Sequence, residues 1–137
     1  MSLRQEIAAF CPQNEQEETD KQALLQWLDS GVDVYTRQCT AAHLTASAWV
    51  VSPDRKQVLM IYHNIYHSWA WMGGHADGMT DLRAVAEKEV GEECGLTRLK
   101  SLCPGIFSIE VLTVDGHEKR GRYVGSHLHL NVTYLFE

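Results

Sequence analysis

The sequence predicts an α+β or mixed-sheet fold, and three observations lead there. Stretches of helical period, one closing near Gly31 and one opening near Asp81, alternate with stretches of strand period. The strands come as hairpin-like pairs and do not follow a regular βαβ alternation. The chain has 137 residues, 45% of them hydrophobic, enough for one domain around one core.

The first helix is carried by "NEQEETDKQALLQWLDSG". Asn14 or Thr19 offers an N-cap, acids come early, Leu24, Leu25 and Leu28 form an apolar stripe, and Ser30-Gly31 is the stop. Residues 1–42 are therefore expected as a helical extension that packs on the domain or on a partner subunit, a homodimer being one such arrangement. The domain proper is expected over 43–137. "HLTASAWVVS" reads as a strand, "PDRKQ" as a turn and "VLMIYHN" as the returning strand of a hairpin. "IYHSWAWMGGHADG" reads as a loop rich in aromatics, histidine and glycine. Asp81 to Cys94 reads as helix with Gly95 as its terminator. "CPGIFSIEVLTV" and "HLHLNVTYLF" are strands on either side of the polar turn "DGHEKRG".

Charge and composition narrow the function classes. A net charge of -6 argues against nonspecific binding to a nucleic-acid backbone, which needs a basic footprint. A phosphorylated small molecule stays open as a substrate, because divalent cations can supply the positive charge. Cys11, Cys39, Cys94 and Cys103 form no CxxC pair, so reduced thiols in a cytoplasmic protein are expected. The N-terminus "MSLRQEIAAF" has no apolar signal region, and no apolar run approaches membrane-spanning length.

The second helix raises the functional question. At about 100° per residue, Glu89, Glu92 and Glu93 share one arc with Leu82 and Val85, so the glutamates are expected to continue the inward-facing stripe. Like charges at these spacings repel, and acids at a helix C-terminus oppose the macrodipole. The cluster is either a solvated helix end or a cage for a hard cation such as Mg2+ or Mn2+. Gly73-Gly74, just ahead, lets backbone approach a ligand closely.

The run Gly74 to Leu96 resembles the Nudix box, G-x5-E-x7-R-E-U-x-E-E-x-G-U, where U is a bulky aliphatic residue. Gly74 matches its first glycine, and "EVGEECGL", Glu89 to Leu96, matches its second half. The resemblance implies a mixed sheet sandwiched by helices over 43–137. It implies Mg2+ or Mn2+ held by Glu89, Glu92, Glu93 and the Gly74 carbonyl. It also implies hydrolysis of a nucleoside diphosphate linked to another moiety X, with Glu92 or Glu93 as the base; Glu110 and Glu118, outside the box, are further candidates. Two positions depart. Thr80 stands where the family has glutamate, and Lys88 where it has an arginine that orients the catalytic glutamate. Lysine keeps the charge but loses the planar fork, and Asp77 and Asp81 are the nearest replacements for the missing carboxylate. These departures favour the alternative of a noncatalytic Nudix-fold nucleotide sensor. Family domains usually continue with a further strand or loop and a helix beyond the point where "HLHLNVTYLFE" ends, so the C-terminal part is expected to be short.

The loop before the box supplies substrate candidates. Trp69 and Trp71 suit stacking on a base, with core packing as the alternative. His63, His67 and His75 suit a phosphate. His127 and His129 share one strand face with Asn131 and Thr133, a polar face suited to line a cleft or meet solvent. An HxH pair can also bind zinc, but no further ligands stand at usable spacing, so zinc is not the expected reading.

Overall fold

The computed structural model describes residues 1–64 and 67–137. Two helices come first, α1 (Leu3–Ala9) and α2 (Glu15–Asp29). The first is additional to the expected elements and is opened by a capping box. The Ser2 hydroxyl accepts from the Gln5 amide, and the Gln5 side chain accepts from the Ser2 amide. For α2 the cap is Asn14, whose side chain accepts from the Glu17 amide at 2.8 Å; Thr19 lies inside the helix.

The strands follow as β1 (Ala42–Val51), β2 (Val58–Leu59), β3 (Ile61–His63), β4 (Ser68–Ala70) and β5 (Met72–His75). After α3 (Leu82–Cys94) come β6 (Ser108–Val114), β7 (His117–Lys119), β8 (Arg122–Val124) and β9 (His127–Phe136). Three expectations change here. The strand "VLMIYHN" divides: β2 returns on β1 as the expected hairpin, whereas β3 pairs with β4. The loop before the second helix contains two strands, and β5 pairs with β1; Ile65 and Tyr66, at its start, lie outside the described residues. The turn "DGHEKRG" is part of the β7–β8 hairpin, whose tip residues Arg120 and Gly121 both adopt positive φ, as a type I′ turn needs.

The main sheet runs β2-β1-β9-β6, with β5 also on β1. The β1–β9 pair is parallel and the others are antiparallel, so the expected mixed sheet forms. Alternation divides its two faces. Ala42, Leu44, Ala46, Ala48 and Val50 of β1, with Leu130, Val132, Tyr134 and Phe136 of β9, lie in the core. The same cluster takes Leu3 and Ile7 from α1, Leu24 from α2, and Leu82, Val85, Ala86 and Val90 from α3. The N-terminal segment thus belongs to the one core. The expected sandwich is one-sided among the described residues, because all three helices bury their apolar side chains with this face of the sheet.

The other face is polar. His43, Thr45 and Ser47 of β1 stand in register with His129, Asn131 and Thr133 of β9, which puts both polar rows side by side. At the β6 edge, α2 supplies acceptors for free amides: Ile109 donates to Glu17 at 3.4 Å and Val111 to Asp20 at 3.1 Å. Among the described residues, no helix is long and apolar enough to cross a membrane.

Candidate functional site

The acidic end of α3 and the strand β5 form the first part of the site. Asp81 starts the helix as its N-cap, accepting from the Ala84 amide at 3.2 Å. Gly95 stops it in the left-handed region, at φ 74°. Thr80 is exposed, and Asp77 is engaged by Arg37 through two hydrogen bonds of 3.0 and 3.2 Å. Both aspartates near the missing box carboxylate therefore have local structural partners.

The three glutamates divide in a way the helical wheel does not foresee. Glu89 is half-buried, but Glu92 and Glu93 are exposed. Of the three, only Glu89 continues the buried stripe. Lys88 reaches Glu92 at 3.8 Å, an exposed i,i+4 pair. Glu93 turns back to accept from the Gly73 amide at 3.3 Å. Burial, and then the charges of Glu93 and Glu92, push the Glu89 carboxyl above its ordinary value. A Cβ at Gly74 would fall on the Glu89 carboxylate, and one at Gly73 would come within 2.6 Å of the Ser47 hydroxyl. Both glycines thus sit at close approaches, one to each face of the sheet.

Ser47 leads to the polar face. Thr45 and Ser47 donate to the Asn131 carbonyl oxygen at 2.8 and 3.0 Å. The Asn131 amide donates to Glu110 at 2.8 Å and to Thr133 at 3.2 Å, so its hydrogen-bonding capacity is filled. Glu110 also accepts from Thr133 and Ser108. Glu110, Ser108 and Thr133 line a cavity of about 350 Å³ with Trp49, Trp71 and Phe107. Trp71 sits edge-on to Trp49 at 5.9 Å and is 38% exposed, which removes it from the core. Trp69 is 68% exposed and packs against Tyr62 on the β3–β4 hairpin, apart from this cavity. His63 is on the same hairpin and His67 in its turn; Glu118 is exposed on β7.

Histidines fill the other end of the polar face. His43, His75 and His129 come from three adjacent strands, and one ring nitrogen of each lies within 4.8 Å of the others. His127 joins them, its ring centroid 4.7 Å from that of His43. Burial, reinforced by Arg37 and His129, lowers His75 to about 3. Burial, reinforced by His43 and His127, lowers His129 to about 4. Both rings are therefore neutral near pH 7. Of the expected substrate residues, the fold brings together His75, His127 and His129, and it sets Trp69 and His63 elsewhere. His43 is not among the expected substrate residues; the alternation His43, Thr45, Ser47, Trp49 carries the signal, but its value depends on a partner strand.

No family model matches the sequence, and comparison with characterised proteins gives no match. A solved structure, the Ap4A hydrolase of C. elegans, is similar at 20% identity over 67% of each chain, with a TM-score of 0.39. The chemistry of the site therefore has to come from the chain's own residues.

Proposed function

We propose that the protein is a metal-dependent hydrolase of the Nudix type, cleaving a nucleoside diphosphate linked to another moiety X. The observation that carries this reading is the fit of β5 against the end of α3. Gly74 is bare where Glu89 lies, and the Gly73 amide holds Glu93. The same residues carry the box resemblance, so motif and packing point to one place.

A hard divalent cation suits the donor set. Three carboxylates stand at a helix C-terminus, and a nearby positive charge would oppose the burial and then the repulsion that raise Glu89. Glu89, Glu92 and Glu93, with the Gly74 carbonyl, are the residues that would hold Mg2+ or Mn2+. When bound, such an ion would supply positive charge to the pyrophosphate and lower the pKa of a water it holds. The remaining work falls to the chain. Glu92 and Glu93 are the candidates to take a proton from the attacking water. The Gly73 amide fixes the orientation of Glu93, and Lys88 steadies Glu92 in place of the family's arginine. Glu110 is an anchor for the cleft, since both its oxygens already accept hydrogen bonds. The cavity beside Trp49 and Trp71 is suited to a planar base. Water enters at one phosphorus as the bridging oxygen leaves with the other, giving a nucleotide and phosphorylated X.

The test is release of nucleotide and phosphate from a panel of such compounds with Mg2+ or Mn2+, beside Glu93→Gln. Metal-dependent turnover that falls by about 10²–10⁴-fold in the variant is expected. Nucleotide binding without turnover, in folded protein, would instead establish the sensor reading.

A further inference from the structure

The histidine cluster has no part in that reaction and asks for its own explanation. Four imidazoles from β1, β5 and β9 gather at one cavity of about 400 Å³. Arg37 and Lys119 also line it, and Arg37 is already engaged by Asp77. His43 is 6% exposed, and its Nε2 is buried without a hydrogen-bond partner. A buried, unsatisfied ring nitrogen is costly unless something occupies its lone pair.

The ring orientations narrow what that occupant can be. The Nδ1 atoms of His43 and His127 face the backbone carbonyls of Cys39 and Gly125, at 3.4 and 2.8 Å. Donation to those carbonyls leaves each Nε2 as a lone pair, the arrangement in which metal-binding histidines are usually held. The Nε2 atoms of His127 and His129 are 3.3 Å apart. Tetrahedral Zn2+ with bonds of about 2.0–2.1 Å sets its ligand nitrogens roughly 3.3–3.4 Å apart. The ligand atoms of the trio lie within 4.8 Å of one another, so they have to draw closer to reach that spacing.

We propose that His43, His75 and His129 bind a zinc-like divalent cation on the open face of the sheet, with His127 at the fourth corner. All-imidazole ligation selects a borderline ion over Mg2+, which prefers oxygen. The site is therefore chemically distinct from the glutamates of α3, although Gly74 and His75 are neighbours in β5. The strand's alternation sends these two positions to opposite faces.

The experiment is titration of the chelator-stripped full-length chain with Zn2+ against a competing chromogenic chelator. Bound Co2+ is followed in parallel by its visible spectrum. One Zn2+ per chain and a tetrahedral Co2+ spectrum are expected. His43→Gln and His129→Gln should each weaken Zn2+ binding by more than about 100-fold, since even outer partners of such ligands contribute 10–100-fold. Glu93→Gln should leave it unchanged. Should a variant fail to fold, histidine ring 15N NMR of the unaltered protein reads the same point. Shifts of His43, His75 and His129 at one equivalent of Zn2+ are expected. The proposal is overturned by absence of stoichiometric Zn2+ binding, by histidine ring signals that do not move, or by binding that survives both histidine variants. Inorganic phosphate moving these ring signals in metal-free protein, with Zn2+ moving none, would assign the cavity to an anion instead.

Discussion

Gly73 and Gly74 are adjacent, yet their substitution by alanine should have opposite consequences. At Gly74 the atoms nearest the new methyl are those of the Glu89 carboxylate tip, the far end of a flexible side chain. That tip can swing away, so folding stability should change by less than about 1 kcal/mol. The displaced carboxylate is one of the proposed cation ligands, and activity should fall on the order of 100-fold. At Gly73 the methyl meets the Ala46 carbonyl oxygen at 2.9 Å as well as the Ser47 hydroxyl. Backbone of a paired strand gives way poorly, so Gly73→Ala should cost roughly 1–3 kcal/mol. Urea denaturation of both variants, with turnover measured on each, checks the contrast. Equal destabilisation with activity intact in Gly74→Ala would separate Glu89 from the chemistry.

At the scale of elements, α3 is tied to the sheet by more than its apolar stripe. The Arg83 guanidinium lies 4.6 Å from the centre of the Tyr134 ring. It also donates to the Ser101 hydroxyl at 2.7 Å and to the carbonyls of Cys103, Pro104 and Gly105 at 3.2–3.4 Å. Arg83→Met should therefore destabilise the protein by about 1–3 kcal/mol, because several acceptors lose a charged donor. Arg83→Lys should recover only part of this, since a lysine lacks the planar fork. Chemical denaturation of the pair decides, and full recovery by lysine would reduce the contact to simple charge. The elements it joins were legible to different degrees. Helices α2 and α3 and strands β1, β6 and β9 carry their own period and caps, so one segment at a time suffices to read them. Strands β4 and β5 are three and four residues long. With a glycine pair in the second they show no alternation, and they exist because β3 and β1 pair with them. The candidate site divides likewise. Glu89, Glu92 and Glu93 lie within one helix and could be found by spacing. His43, His75 and His129 meet only through the registers His43↔His129 and Thr45↔His75, which no single strand encodes.

For the whole molecule, the question is whether residues 1–42 are an appendage or part of the cooperative unit. An appendage would bury its apolar stripe on itself or on another chain. Here Ile7 and Leu24 are fully buried in the cluster that holds Leu130, Val132 and Tyr134. The carboxylates of Glu17 and Asp20 also complete the edge of β6. Removing the Leu24 side chain should thus act on the sheet as strongly as on the helix. Leu24→Ala is expected to cost about 2–5 kcal/mol through lost burial and the cavity left behind. Native-state hydrogen exchange separates the alternatives, because amides that open together share one free energy. Protection should fall by the same amount in α2 and in the central residues of β9. If α2 alone lost protection, the two N-terminal helices would be a separately unfolding layer, and their contacts with the sheet would add little to its stability.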